Sequence, residues 1–374
     1  MREVIAAFEA NQPVRVPVTF GISENYFLLT PELNRNSYSY REYCENPDVM
    51  MEVQLGLQKW ARWNVRQDVE MGPPSHAWDS LYIDLQNTAE AAWLGCPVNY
   101  GDEGSVPDTQ PILAEHKEKL YEMAIPDPLR GGIMNRVYEH YGYLCDKLRD
   151  FEFEGSPVAG VVPVAHMTDG PFTLACNLRG ATQLCTDIYE DPGYATDLMR
   201  YVTDAIIARG KAWYEFMGVP YPMQKWLAGF ADDSTELLSP ETYREFVLPC
   251  HHRIVDAFSK GGPNHIHMCG RAQHLFRTMQ SELNIQDFYV GFCTDTGRIR
   301  QELGEHVLIQ AEAVHPTILR DGEAGEIRDE YRKTLSSGVM AGGKVKLGAT
   351  VAPGTPVESL RIAYEAAREL GRYR

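Results

Sequence analysis

Short apolar runs recur along the chain, separated by longer polar or amphipathic stretches. Val16–Phe20 is β-branched and aromatic and follows a proline-containing turn, as expected of a strand. Val158–Ala165 is a continuous apolar run of the fully buried type. Gln224–Phe230, Asn264–Cys269, Ile285–Phe292, Val307–Val314 and Lys344–Gly348 read as further short strands, and another lies within Asp68–Leu85. Helical patterns fall between most of them. Ser239-Pro240 opens one helix, with Tyr243, Phe246 and Val247 on one face and Pro249 placed to kink it. Thr355-Pro356-Val357-Glu358 combines a Thr cap, Pro in the first turn and Glu three residues after the cap, ahead of an amphipathic Arg361–Leu370. About eight strands alternating with helices in one undivided chain predict an α/β fold. The expected form is a (β/α)8 TIM barrel with an N-terminal helical extension, a single domain over residues 1–374. An open doubly wound sheet is the alternative. Against it, no Gly-rich dinucleotide fingerprint follows an early strand; Gly131-Gly132 and Gly342-Gly343 are isolated pairs.

Composition narrows the function classes. Of 374 residues, 44% are hydrophobic and 23% charged, which fits a folded chain with a sizeable core. Lys and Arg total 35 against 52 Asp and Glu, a formal charge of −17. That sign excludes a nucleic-acid partner and disfavours an anionic membrane surface. The longest apolar run falls far short of the ~20 residues a membrane helix needs. The first twenty residues carry Glu3 and Glu9 and lack the apolar centre of a secretory signal. Eight cysteines are too few for a disulfide scaffold. A reducing cytoplasm is the expectation, with some thiols available as ligands.

In a barrel of this kind, function collects at the C-terminal ends of the strands. His265-Ile266-His267-Met268-Cys269-Gly270 is the most informative segment. Alternation along a strand turns His265, His267 and Cys269 to one face, and Gly270 lets the chain turn. His267 and Cys269 can both reach one zinc ion while leaving other positions open. The bland reading is a buried Cys with hydrogen-bonded histidines. Cys293, at the end of the next strand, is placed to complete the site, since neighbouring tips lie ~5 Å apart; a small core Cys would look the same. Asp232-Asp233 follows the Gln224–Phe230 strand and can bind a cation, accept a proton or cap the next segment. Glu312 and His315 end the Val307–Val314 strand. Glu24 and Tyr26 follow the first strand, Asp84 lies in Tyr82-Ile83-Asp84-Leu85, and His166 follows Val158–Ala165. These acids form a ring at one mouth, which a merely solvated rim would also show. His251-His252 falls on the helix after Pro249 and reads as packing or surface.

With these segments in view, the chain resembles the uroporphyrinogen decarboxylase superfamily over most of its length. The resemblance is carried by Arg15–Phe20, Gly170–Ala175 with Gly180, Asp232–Val247 (DDSTELLSPETYREFV), His267–Gly270 (HMCG) and Val351–Leu360 (VAPGTPVESL). It implies a (β/α)8 barrel. It also implies one of two chemistries: cofactor-free decarboxylation of a tetrapyrrole's acetate arms, or methyl transfer to or from a corrinoid protein by a zinc enzyme. The two arginines that grip the tetrapyrrole in the decarboxylases fall here on Ile22 and Tyr26. The tyrosine after the Gly-Pro segment falls on Asn177, and Leu347–Ala352 lacks the C-terminal histidine. Only the aspartate, matched by Asp84, is retained.

The methyltransferase branch carries a His-x-Cys pair, matched by His267 and Cys269, and a distant Cys. That Cys would fall near Gly348-Ala349 and is missing; Cys293 and Glu312 are the substitutes. The resemblance therefore implies a zinc site at His267, Cys269 and Cys293. The partners implied are a corrinoid (cobalamin) protein and a small methyl donor or acceptor, such as a methoxylated aromatic, a methylamine or a thiol. Asp84, Asp233 and Glu312 are the expected catalytic acids. Glu24, Tyr26, His166, Asp232 and Asn177 are the expected substrate contacts. A monomer or homodimer is implied. A metal-free decarboxylase and a binding barrel without turnover are the competing readings.

Overall fold

A computed structural model describes residues 2–101, 105–163, 169–226 and 229–373. Four parallel strands, Asn264–Met268, Ile285–Val290, Leu308–Glu312 and Val345–Gly348, pair in chain order. Their alternation explains their burial. Ile266, Met268, Phe288, Val290, Ile309 and Leu347 are fully or almost fully buried under the surrounding helices. Between them the polar residues His265, His267, Asp287, Tyr289 and Gln310 face the other side, which is the barrel interior.

Parallel pairing continues beyond these four. On one side, Leu347 and Thr350 bridge Val18 and Gly21 of the opening strand. On the other, Asn264 and His267 bridge Trp226 and Ala231, and Ala231 bridges Asp169. Leu81–Ile83 pairs with Val161–Pro163. Between the opening strand and Leu81–Ile83 there is no strand pairing among the described residues; the opening strand is edged there by Gln67 and Asp68, and the Asp68 amide gives to the Val18 carbonyl at 2.8 Å. The Asp68 carboxylate takes the Val18 amide at 2.9 Å and Gln67 takes the Phe20 amide at 2.9 Å. Parallel strands following one another in chain order give the barrel expected from the sequence, with helices such as Pro192–Phe216, Leu248–Phe258 and Val357–Leu370 outside. Arg2–Glu9 supplies the helical extension before the first strand. No helix among the described residues is long and apolar enough to cross a membrane.

Two local expectations change. The terminal helix begins at Val357 with Pro356 at its cap position, and no side chain caps it. Thr355 is buried and gives its hydroxyl to the Ala352 carbonyl at 2.7 Å instead, holding the preceding turn. Pro249 is accommodated without breaking its helix. Tyr243–Val247 forms a π-helical stretch in which the Leu248 amide reaches back to the Tyr243 carbonyl. The wider turn absorbs the missing donor of Pro249. Ser239 caps as expected, accepting from the Thr242 amide at 3.1 Å.

Asp68 also joins the two ends of the chain. It receives Arg15 through both guanidinium nitrogens and the Tyr364 hydroxyl at 3.1 Å, all buried. Removing one partner strands the other charge, which costs about 3–5 kcal/mol. Asp68→Ala is therefore expected to lower unfolding free energy by that amount in chemical denaturation; a loss under about 1 kcal/mol would mean the clamp contributes little.

Candidate metal centre at the barrel mouth

Three donors converge where the strands end. The ligand atoms of Asp233, His267 and Cys269 lie within 4.8 Å of one another, the one such group among the described residues. His267 and Cys269 arrive by strand alternation, as the sequence predicts. Asp233 comes from the neighbouring strand end, where Asp233–Leu237 forms a short 3-10 helix. Its Oδ1 accepts the Gly270 amide at 3.0 Å, so the turn after the His-x-Cys strand holds the carboxylate in place. His265 lies one layer deeper, with Nδ1 3.2 Å from Asp287 Oδ2.

The chemistry of this set suits a divalent cation. Burial lowers the His267 pKa, with Asp233 and Glu312 opposing, so the imidazole is neutral and has a lone pair to give. Burial, reinforced by the Asp233 carboxylate, pushes the Cys269 thiol up to about 12. Without a cation this thiol keeps its proton; a zinc ion favours the thiolate and binds it. One nitrogen, one sulfur and one carboxylate oxygen match the ligand types of zinc, and three protein ligands leave a position for a small molecule.

The surroundings are ordered around this group. The His267 ring stacks on Tyr289, with centroids 4.4 Å apart and planes 13° from parallel. The Tyr289 hydroxyl donates to Glu312 Oε1 at 2.8 Å, and the Thr350 hydroxyl donates to the same oxygen. A cavity of about 460 Å³ opens beside the donors, lined by Asp233, Cys269, Glu236, Phe292, Glu312 and Thr350 among others. Tyr289, Thr350 and Phe292 were not singled out from the sequence. The i, i+2 alternation of Asp287 and Tyr289 is the signal that could have pointed to the first.

Other expected site residues sort differently. Cys293 is exposed in the turn after Ile285–Val290 and lies outside the donor group. The chain leaves the strand at Gly291, so Phe292 rather than Cys293 faces the cavity. Asp232 is fully buried and spent on structure. It accepts the Phe172 and Thr173 amides at the start of Pro171–Arg179, and His251 Nε2 at 2.8 Å. It is the cap of that helix rather than a substrate contact. Tyr26 is buried too, giving its hydroxyl to the Thr355 carbonyl and stacking on Trp60. Asn177 donates to Asp169 at 3.4 Å and is absent from the cavity lining. His166 lies outside the described residues. His251, buried between Asp232 and Tyr243, packs as expected.

Glu24 and Asp84 form a second acidic pair at strand ends. Asp84 is held by the Tyr43 hydroxyl and by both the amide and the side chain of Gln86. Burial raises its pKa, and those donors oppose the rise. Burial, with the Asp84 charge, pushes Glu24 up to about 7.

These features can be set beside known proteins. The uroporphyrinogen decarboxylase (URO-D) family model matches residues 1–370. The chain belongs to this family. A methylated-thiol–coenzyme M methyltransferase from Methanosarcina mazei is 25% identical over 284 residues, covering 75% of this chain and 70% of that protein. A uroporphyrinogen decarboxylase from Nostoc punctiforme is 28% identical over 349 residues, covering 92% and 89%. A solved methyltransferase from Methanosarcina mazei superposes with a TM-score of 0.65 at 19% identity, over 98% of this chain and 97% of that one. The last match establishes the URO-D barrel fold. The relatives are enzymes of both kinds.

The Glu24 shift sets a pH dependence. A carboxyl that holds its proton more tightly folded than unfolded loses stability as pH rises between the two pKa values. Between about pH 4.5 and 7 the wild-type melting temperature is expected to fall relative to that of Glu24→Gln. Parallel melting curves across that window would contradict it.

Proposed function

We propose that this URO-D family member is a zinc-dependent methyltransferase that moves a methyl group between a small substrate and a corrinoid protein. The observation that carries the reading is the Asp233/His267/Cys269 donor set opening onto a cavity at the barrel mouth. The methyltransferases among the relatives support it. So does the loss of both arginine positions, Ile22 and Tyr26, that a polyanionic tetrapyrrole would need.

A zinc ion bound by Asp233, His267 and Cys269 would supply a Lewis acid toward the sulfur, oxygen or nitrogen that carries the methyl group, and the partner's corrinoid would supply the cobalt that gives or takes it. The protein's own residues do the rest. Tyr289 fixes the plane of the His267 ring by stacking and holds Glu312 by its hydroxyl. Gly270 orients Asp233. Glu312 stands at the cavity wall to position the substrate or take its proton. Phe292 adds an aromatic, apolar face to the cavity lining.

The test uses methylcobalamin as a stand-in for the partner's cofactor and a small thiol as acceptor. Zinc-loaded protein is expected to consume methylcobalamin, followed by its absorbance. His267→Ala and Asp233→Ala should lower the rate by about 10²-fold or more, and Cys293→Ser should leave it within about twofold. Consumption of uroporphyrinogen by metal-free protein, with no methyl transfer by the zinc-loaded form, would replace this reading by decarboxylation.

A further inference from the structure

We infer that the small substrate carries a positive charge on the tail that lies away from its methyl-bearing atom, and that Glu312 reads that charge. The inference rests on the proposed function and names the substrate class for the same cavity.

The charged residues lining the cavity are Asp233, Glu236 and Glu312, and neither Lys nor Arg is among them. An Asp233 carboxylate and a Cys269 thiolate together balance a divalent ion. The other two acids are then uncompensated, and they differ. Glu236 is exposed, and its Oε2 accepts the Arg271 amide at 2.5 Å. Glu312 is only 5% exposed. Both of its hydroxyl donors, Tyr289 and Thr350, go to the one oxygen Oε1. Oε2 takes no hydrogen bond from any described residue. Oε2 keeps some solvent access on the cavity wall, where a ligand donor can reach it.

An ammonium in the cavity supplies both the donor and the opposite charge. Phe292, held edge-on by His315 with centroids 4.2 Å apart, adds an aromatic wall of the kind that accommodates cations. A sulfonate or carboxylate tail would meet the opposite situation: a half-dry pocket whose spare charges are all negative. The structure thus assigns a small amine-bearing thiol, thioether or ether to this cavity, and excludes an anionic one.

Three two-carbon thiols separate the possibilities, because they differ only in the tail. These are 2-aminoethanethiol, 2-mercaptoethanol and 2-mercaptoethanesulfonate, titrated calorimetrically into zinc-loaded protein at pH 7. The cationic thiol is expected to bind at least about tenfold more tightly than the anionic one, with the neutral thiol between them. Glu312→Gln keeps an acceptor oxygen for Tyr289 and Thr350 but loses the charge. It is expected to bring the three affinities within about threefold of one another at unchanged zinc content. Equal or reversed order in the wild type, or a preference that survives in Glu312→Gln, overturns the inference. Zinc bound with the anionic thiol preferred sinks the inference alone; a chain that takes up no zinc sinks the proposed function and the inference with it.

Discussion

The buried Asp232 carboxylate is the fixed point on which the mouth of the barrel is built. It has no solvent exposure, and its charge is met by two amides at the start of Pro171–Arg179 and by His251. The approach is close. A Cβ at Gly170 would lie 2.5 Å from the Asp232 Cβ, so only glycine lets that helix start sit against the strand end. With Asp232 committed inward, the next residue must leave the strand, and Asp233 lands over His267 and Cys269. The adjacent acids therefore stand in opposite settings: one charge holds the scaffold and the other faces the proposed metal site.

The same economy runs through the strand that carries His267. Its pleat sends Ile266 and Met268 into the helix-facing core and His265, His267 and Cys269 into the barrel. Packing on one face fixes the register, and a slip by one residue would bury His267 and Cys269. The interior of this part of the barrel is unusually polar. Its residues meet in pairs across strands: His265 with Asp287, Gln310 with Asp287, and Tyr289 with Glu312. This network leaves few free rotamers near the donors, as a site that must hold geometry requires.

Much of this was legible from sequence because it follows from period-two alternation. The strand set, the barrel and the shared face of His267 and Cys269 all come from that pattern. The proposed third donor did not. Cys293 and Asp233 both sit at strand ends, and linear spacing cannot tell which one turns inward; the exit of the chain at Gly291 and the Gly270–Asp233 hydrogen bond decide it. Asp232 and Tyr26 were read as mouth residues for the same reason. Residue type and position near a strand end are visible in a sequence, but the partners that consume a side chain lie 19 to 329 residues away. Thr350 escaped notice because a hydroxyl next to the position of an expected Cys carries no periodic signal. The Thr355 cap failed because a buried turn at Ala352 competed for its hydroxyl.

The donor set itself is the central claim, and X-ray absorption at the zinc edge of the loaded protein tests it without reference to turnover. One sulfur at about 2.3 Å with nitrogen and oxygen neighbours at about 2.0–2.2 Å is the predicted first coordination sphere, with the single sulfur lost in Cys269→Ser. Two sulfurs, or a sulfur that persists in Cys269→Ser, would place Cys293 or another thiol on the metal and contradict the assignment of Asp233.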